Sequence, residues 1–435
     1  MKQKIFYNLI VMAALNGAAA AVTTNDPPAA APTIGLEALV AEAHERNPER
    51  KFYEAEIVAA RAGRKSAGLW ANPELSGSIG QKTVRSAGLQ TEGVAWSVSV
   101  VQPFEWPGRL GLRKAIANGD LELAQLGYER FQVALAGQVR ALAYGYFAAQ
   151  TRAGAAREVA ERFQALREVL VQRDPAGLTP LLETRVIEAT EVTAQRKAGE
   201  AELAAAAALL ELNQLRGAAP DAPLTLARPE LAFRPAPGLD RLLALARTNN
   251  FELRLRALEL SQQGARVDLA RNERFPAIAV GPSISEERAG EHDRIIGLGV
   301  SLPLPLWNRN AGAIDAARAR QAQAEVSLHL TGREIQRKVI AAAQTYASKQ
   351  REMTQWRADA VRQFQDAAEL ADRHYRLGAV PLATFVELQK QYFEAVESLL
   401  ATKQEALEAA QQLEQLTGWP AREAISLAPA EKGNL

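Results

Sequence analysis

Ile295-Ile-Gly-Leu-Gly-Val-Ser-Leu-Pro-Leu-Pro-Leu-Trp-Asn-Arg-Asn-Ala-Gly312 is the stretch whose reading decides the fold. Its period changes in the middle. Ile296, Leu298, Val300 and Leu302 fall on one side while Gly297, Gly299 and Ser301 fall on the other, the alternation of a strand with one apolar face. Pro303 and Pro305 end that strand, because proline donates no ladder hydrogen bond. Beyond Gly312 the chain is rich in Ala, Arg, Gln and Glu at helical spacing and free of proline for dozens of residues. A strand is handed through a rigid proline elbow to a very long helix.

The same elbow occurs earlier. Val94, Trp96, Val98 and Val100 alternate with Ala95, Ser97, Ser99 and Val101, then Gln102-Pro-Phe-Glu-Trp-Pro-Gly108 follows, and Arg109 opens another long helix. At a constant offset of 201 residues, Trp106 falls on Trp307, Gly111 on Gly312, Gly177 on Gly378, Pro180 on Pro381 and Gly217 on Gly418. Nearer the front the offset is 203, placing Asn47 on Asn250, Glu49 on Glu252 and Pro73 on Pro276. Matched Gly, Pro and Trp at one offset are hard to obtain by chance between two Ala-rich sequences, so the chain reads as an internal tandem repeat.

Composition bounds the rest. The formal net charge of +1 gives no pull towards nucleic acid, and the absence of cysteine excludes disulfides, thiolate metal sites and a lipid-modified N-terminal Cys anchor. Residues 1–21 have the make-up of a secretory signal: Lys2 and Lys4, an apolar core from Ile5 to Leu15, and small residues Ala18 to Ala21. That core is too short to cross a bilayer, and no other stretch approaches a membrane-spanning helix. Membrane insertion would therefore have to use strands.

In order, the expected plan is a flexible N-terminus at 22–35, a first repeat at 36–217, a Pro-rich linker at 218–237, a second repeat at 238–418 and a loose tail at 419–435. Repeat one begins with a helix striped by Leu36, Leu39, Val40 and Ala43, broken at Asn47-Pro48. A β-hairpin at about 73–102 follows, with its loop expected at 81–92. Next comes a helix from about Arg109 to Arg173, with Leu121, Tyr128, Leu135 and Leu142 at heptad spacing, a turn at 174–180, and a return helix to Leu215. Repeat two replays this, with strands at about 276–285 and 294–302, one long helix to Leu377, a turn at 375–381 and a return helix ending near Leu416.

Each repeat thus offers a two-stranded hairpin, unstable alone, and a helical hairpin about 90 Å long. Strands of this length suit a bilayer crossing, where every backbone group must be paired and the sheet must close. Four strands per chain cannot close a barrel, so several chains must share one. The expected fold is a mixed α and β membrane protein: a shared β-barrel continued by a helical tube.

Across nearly the whole mature chain the sequence resembles the TolC family of outer-membrane efflux ducts. The carriers are the doubled helix–hairpin–helix–turn–helix plan, Asn47-Pro48-Glu49 and the paired Gly-x-x-Pro turns. The segment Leu302-Pro-Leu-Pro-Leu-Trp-Asn-Arg-Asn-Ala-Gly312 is similar to the elbow of the cobalt–zinc–cadmium (CzcC-like) branch. The resemblance implies a homotrimer with a twelve-stranded barrel, four strands per chain, set in outer-membrane lipid above a periplasmic α-helical coiled-coil barrel. It also implies partners, a periplasmic adaptor and an inner-membrane RND-type pump, with the chain as passive exit duct for divalent heavy-metal cations. The same duct fold could serve drug efflux or type I secretion. A soluble periplasmic adaptor or scaffold would fit the helical hairpins but not the four alternating strands.

The resemblance also places residues. Gly177, Leu178, Thr179 and Pro180, with Gly378, Ala379, Val380 and Pro381, would form the periplasmic tip that meets the adaptor. Tyr375, Glu183 and Glu387 match gate or lumen positions, whereas Thr384, Val186, Val380 and Asp174 depart from the family pattern. Rings of Glu183 and Glu387 across three subunits would favour cations; ordinary solvated helix positions are the alternative. Pro103, Trp106, Gly108, Pro303, Pro305, Arg309, Asn310 and Gly312 mark the strand–helix elbows, where a structural role outweighs a chemical one. Trp96, Trp106 and Trp307 suit either a membrane interface or simple packing. His44, His292, His329 and His374 are scattered, so no metal site is expected. Gly297-x-Gly299 precedes prolines rather than a helix and His44-Glu45 lacks a second His, so no cofactor and no enzyme is expected.

Overall fold

The computed structural model describes residues 33–86, 88–173, 181–229, 231–356, 359–420 and 425–427. The expected signal peptide, most of the N-terminal stretch and the turn at 174–180 lie outside the described residues. Helices α1 (Leu36–Arg46) and α2 (Glu49–Ala67) lead into strands β1 (Glu74–Ser86) and β2 (Leu89–Phe104). Helices α3 (Arg109–Arg173) and α4 (Leu181–Leu215) follow, then the short β3 (Leu231–Phe233). The second half runs α5 (Leu239–Asn249), α6 (Phe251–Asn272), β4 (Ile278–Ala289), β5 (Glu291–Ser301), α7 (Ala311–Gln355), α8 (Ala360–Arg376), α9 (Leu382–Thr417) and β6 (Ile425–Leu427).

The fold is mostly helical with a small antiparallel sheet. The four long strands form one sheet in the order β1-β2-β4-β5. Next to it α2, α3, α6 and α7 lie side by side; farther away the row is α4, α3, α9 and α7–α8. The 65 residues of α3 span both levels, about 100 Å at 1.5 Å per residue.

Packing explains where the short helices break. Asn47 lies between α1 and α2, buried; its Oδ1 accepts from Glu49 N at 2.8 Å and its Nδ2 donates to Leu215 O at 2.9 Å. Asn250 does the same between α5 and α6, accepting from Leu253 N at 3.1 Å and donating to Leu416 O at 2.9 Å. Each asparagine caps a helix start and satisfies a carbonyl at another helix end, groups that no helix can pair internally. The helices they reach end at Gly217 (φ 64) and Gly418 (φ 69), left-handed positions. A Cβ on Gly217 would sit 2.6 Å from Arg46 O, and one on Gly418 2.8 Å from Asn249 Cβ, so glycine is required twice over.

Two apolar clusters hold the helices. One joins Leu39, Val40 and Ala43 of α1 to Leu135, Val139 and Leu212. The larger one runs through α3, α5, α7, α8 and α9, around Phe163, Tyr346, Phe385, Leu407 and Leu413. The connecting segment is a packed strap rather than a bare linker. Ile34 N donates to Thr225 O at 2.9 Å, Tyr146 OH to Leu224 O at 3.2 Å and Tyr346 OH to Arg234 O at 2.6 Å.

Several sequence expectations need correction. The hairpin loop expected at 81–92 is largely strand: β1 continues to Ser86 and β2 starts at Leu89, with Gly88 at φ 84 beside the reversal. The second hairpin likewise turns on Gly290 at φ 90, its strands running to Ala289 and from Glu291. The polar residues near these ends pair across strands instead of looping. The single long helix expected to Leu377 is broken, with Trp356 extended at φ −74, ψ 120 and a new helix starting after Asp359. Thr354 Oγ1 there donates to Arg351 O at 2.7 Å, a short-range bond that competes with helix continuation. The tail is not wholly loose: Ile425–Leu427 pairs with Leu231–Phe233, and Trp419 is buried.

Candidate functional site

The sheet has two chemically different faces. On one, Leu75 opposes Val100, Gly77 opposes Val98, and Val98 continues to Ile284 and Ile296. Ile79 on this face is 82% exposed, and Ile296 and Leu298 are each 72% exposed. A contiguous apolar face of this kind is a membrane or partner surface, since water-soluble monomers avoid it. On the other face Ser76 Oγ lies 2.8 Å from Ser99 Oγ and Ser78 Oγ 2.9 Å from Ser97 Oγ. The register carries both rows onward, Ser99 to Ser283 and Ser97 to Ser285. Nearer the hairpin ends Lys82 Nζ pairs with Glu287 at 2.6 Å and Asp293 at 3.9 Å. Among the described residues β1 and β5 each pair on one side only, leaving two open edges.

The elbows are built by hydrogen bonds from distant helices. Pro103 sits in β2 opposite Ala279, and Trp106 stacks on Phe275 at 4.8 Å. Gly108 takes φ 88, and Arg109 then spans to the end of α6, its Nε donating to Asn272 Oδ1 and its Nη2 to Asn272 O, both at 3.1 Å. Asn272 Nδ2 answers by donating to Pro107 O at 2.9 Å. In the second elbow Asn310 takes φ 60, the one non-glycine residue with positive φ among the described residues, and its Nδ2 donates to Ala270 O at 2.9 Å. Asn tolerates this region better than most side chains. Pro303 and Pro305 follow the end of β5 as expected, and Arg309 is exposed. Trp307 is 93% exposed within this chain. Gly312 lies inside α7 with nothing within 4 Å of its would-be Cβ; it is not needed for the turn.

At the far end, Gly177, Leu178, Thr179 and Pro180 lie outside the described residues. The second turn is explicit. Gly378, at φ 73, donates N–H to Tyr375 O and Ala379 to His374 O, both at 2.9 Å, the double closure of a Schellman motif. Val380 completes the loop and Pro381 starts α9 from extended backbone. Tyr375 stacks on Phe385 at 5.5 Å, and burial together with the nearby Glu183 carboxylate raises its hydroxyl pKa. The structure thus brings Tyr375 and Glu183 within electrostatic reach. Glu387 stands apart, exposed on α9, its carboxylate accepting from Gln391 Nε2 at 2.7 Å. Asn272 escaped the sequence reading because its partner Arg109 is 163 residues away.

Four similarities bear on this geometry. A family model described as outer membrane efflux protein matches residues 242–419. The chain is 27% identical over 288 residues to the nickel-cobalt-cadmium resistance protein NccC of Alcaligenes xylosoxydans xylosoxydans. That alignment covers 65% of this chain and 63% of NccC, so it spans less than two thirds of the relative. In fold the chain matches crystal structures of CusC, with a TM-score of 0.69 at 16% identity, covering 88% of this chain and 91% of that one. It also matches a membrane protein from Pseudomonas aeruginosa, with a TM-score of 0.71 at 19% identity, covering 88% and 93% respectively. The doubled hairpin plan and the open four-stranded sheet agree with these likenesses: residues 242–419 match the outer membrane efflux protein family model, and the chain shares its fold with CusC.

Proposed function

We propose that three copies of this chain form an outer-membrane exit duct that passively carries divalent heavy-metal cations, fed by a periplasmic adaptor and an inner-membrane RND-type pump. The observation that carries the reading is the sheet, with one exposed apolar face and two open edges. Each unpaired backbone group in lipid costs several kcal/mol, so an open sheet is untenable there. Pairing β5 of one copy with β1 of the next removes the edges, and three copies give twelve strands. The apolar face then meets lipid, and the serine rows line the lumen.

The helical edges support the same assembly. On α4 the exposed Val192, Leu203 and Leu210 recur on one stripe; at the opposite edge Val326 and Leu330 of α7 and Phe364 and Leu370 of α8 are exposed. A neighbouring copy would cover both. The matched roles of Asn47 with Asn250 and Gly217 with Gly418 support the tandem repeat, which gives each copy two similar wedges of the ring. The turn at 375–381, together with its counterpart expected from the sequence at 174–180, would meet the adaptor. The metal cargo rests on the likeness to NccC and on the Arg309-Asn310-x-Gly312 elbow.

Two experiments test the reading. Chemical cross-linking of detergent-extracted protein should stop at trimers, and extraction without detergent should fail; a soluble monomer would reject the duct. A strain lacking the gene should lose resistance to some of nickel, cobalt, zinc and cadmium. Sensitivity confined to dyes, bile salts or antibiotics would keep the duct and reassign its cargo.

A further inference from the structure

One hollow departs from the tandem plan. Between α5, the start of α6 and the middle of α7 lies a cleft of about 440 Å³. Its floor is apolar, made by Leu243, Leu253, Leu328 and Ile335. Its rim is cationic: Arg247, Arg254 and Arg333 are all exposed, and the imidazole of His329 stands with them. Among the described residues no carboxylate lines the cleft, and Arg247, His329 and Arg333 have no hydrogen-bond or ion-pair partner. Arg254 has an exposed pair with Glu129 at 3.3 Å, of a kind worth little in water, and lies 5.8 Å from the Phe251 ring centre. Guanidinium groups gathered over an apolar floor repel one another, and the cleft wall supplies nothing to offset them.

Repeat one is built differently at the matching positions. At the offset of 201, Gly332 corresponds to Phe131 and His329 to Tyr128; at 203, Arg256 corresponds to Tyr53. Phe131 stacks on Tyr53 at 4.6 Å and lies 6.5 Å from Tyr128. Repeat two has no phenyl or phenol ring at these positions, and a Cβ on Gly332 would meet only Leu253 Cδ2, at 3.9 Å. The hollow beside Phe131 carries Glu49 and Glu211, with Arg130 the one cation in its wall. The tandem fold therefore requires neither the opening at Gly332 nor the cationic rim. On α7 the buried Ile335 and Val339 face the chain's own core, and Val326 and Leu330 lie on the opposite side. At about 100° per residue His329 and Gln336 fall on the flank between. The cleft opens on that flank, beside the edge assigned above to a neighbouring copy.

We propose that this cleft binds a small amphiphilic anion, a phosphate or carboxylate joined to an aromatic or alkyl group. Arginine forks match the oxygens of either anion and pair with them bidentately. The volume lies within the range of small-molecule sites, about 300–1,000 Å³, and an apolar floor with a few convergent polar groups is their usual make-up. A bare inorganic anion would use only the rim, and a neutral apolar compound only the floor. The site goes beyond the duct reading and stands whether or not the chain conducts.

Equilibrium dialysis of the full chain in non-ionic detergent tests this, with protein-free micelles as the blank. The probes are 1-naphthyl phosphate, hexyl phosphate and inorganic phosphate. At least one of the two organic phosphates should bind saturably, at one per chain, and at least tenfold more tightly than inorganic phosphate; the tighter of the two assigns the apolar part as aromatic or alkyl. Arg247→Gln combined with Arg333→Gln should weaken that binding at least tenfold. Gly332→Phe, which installs the residue of repeat one, should abolish it with helical content unchanged. No saturable binding of either organic phosphate, binding no tighter than that of inorganic phosphate, or binding that survives both the double variant and Gly332→Phe would overturn the site. A chain that binds the probe but forms no channel in bilayers would reject the duct reading and leave the site in place.

Discussion

Asn250 offers the sharpest test of how the helices are locked, because its side chain does two jobs that substitution can separate. Its Oδ1 caps α6 at Leu253 N, and its Nδ2 donates to Leu416 O near the end of α9. Asn250→Ala removes the cap, about 1 kcal/mol, and the bridging bond, about 1 kcal/mol, while leaving a buried carbonyl unpaired for about 1 kcal/mol more. The sum is about 3 kcal/mol. Asn250→Asp keeps the capping oxygen but turns a second oxygen, not a donor, towards Leu416 O. As a cap alone, Asp equals Asn. If the bridge matters, Asp is at least as damaging as Ala, since a buried carboxylate would face a carbonyl. Hydrogen exchange at the start of α6 and the end of α9 measures this directly. A loss of 3 kcal/mol accelerates exchange about a hundredfold, at 1.4 kcal/mol per decade. Exchange in Asn250→Asp at the rate of the unmodified protein would refute the bridge and reduce Asn250 to a cap.

The remaining predictions concern the elbows, the helix ends and the lumen. Gly418→Ala should cost about 1 kcal/mol or more, because φ 69 and the contact with Asn249 both oppose a Cβ; thermal unfolding followed by helical circular dichroism reads it. Gly312→Ala, at another glycine matched between the halves, should be neutral or stabilising by up to about 1 kcal/mol, since that Cβ meets nothing and the backbone is helical. Arg109→Lys keeps the charge but cannot fork onto both Asn272 atoms; trypsin should then cut faster near Arg271 and Arg274, and an unchanged rate would show the fork to be dispensable. Ser97→Asp should raise the cation preference of the reconstituted channel, because three carboxylates would join a hydroxyl-lined wall; unchanged selectivity would mean that this face does not line the lumen.

What the sequence showed and what it hid divide along a physical line. Strand alternation around Val98 and Val300, the proline elbows and the Asn47-Pro48 break are local signals, set by period and by backbone chemistry within a few residues. They survived nearly unchanged. The strand ends were misjudged because polar residues such as Lys82 look like loop until Glu287, 205 positions away, is placed opposite. The break at Trp356 carries no Gly or Pro to announce it; only Thr354 and Asp359, both common inside helices too, mark it. Arg109 with Asn272, Glu158 with Tyr392 and β3 with β6 are likewise contacts across the chain, invisible to any window.

Gly312 shows the opposite error. Its match to Gly111 made it look like turn geometry, yet the residue that bears the strained backbone is Asn310. Identity between the two halves locates an elbow without saying which residue makes it bend. The distinction bears on the cargo. Arg309, Asn310 and Gly312, the residues most like the metal-resistance branch, sit at the strand–helix junction, where Asn310 is engaged by Ala270 O and Gly312 lies in a helix. These two are accounted for by folding alone. If the proposed duct carries metal, its selectivity over organic cargo would be set by lumen-lining residues or by a pump that loads it, and Gly312→Ala should leave metal resistance unchanged; a metal-specific loss of resistance in that variant would refute this.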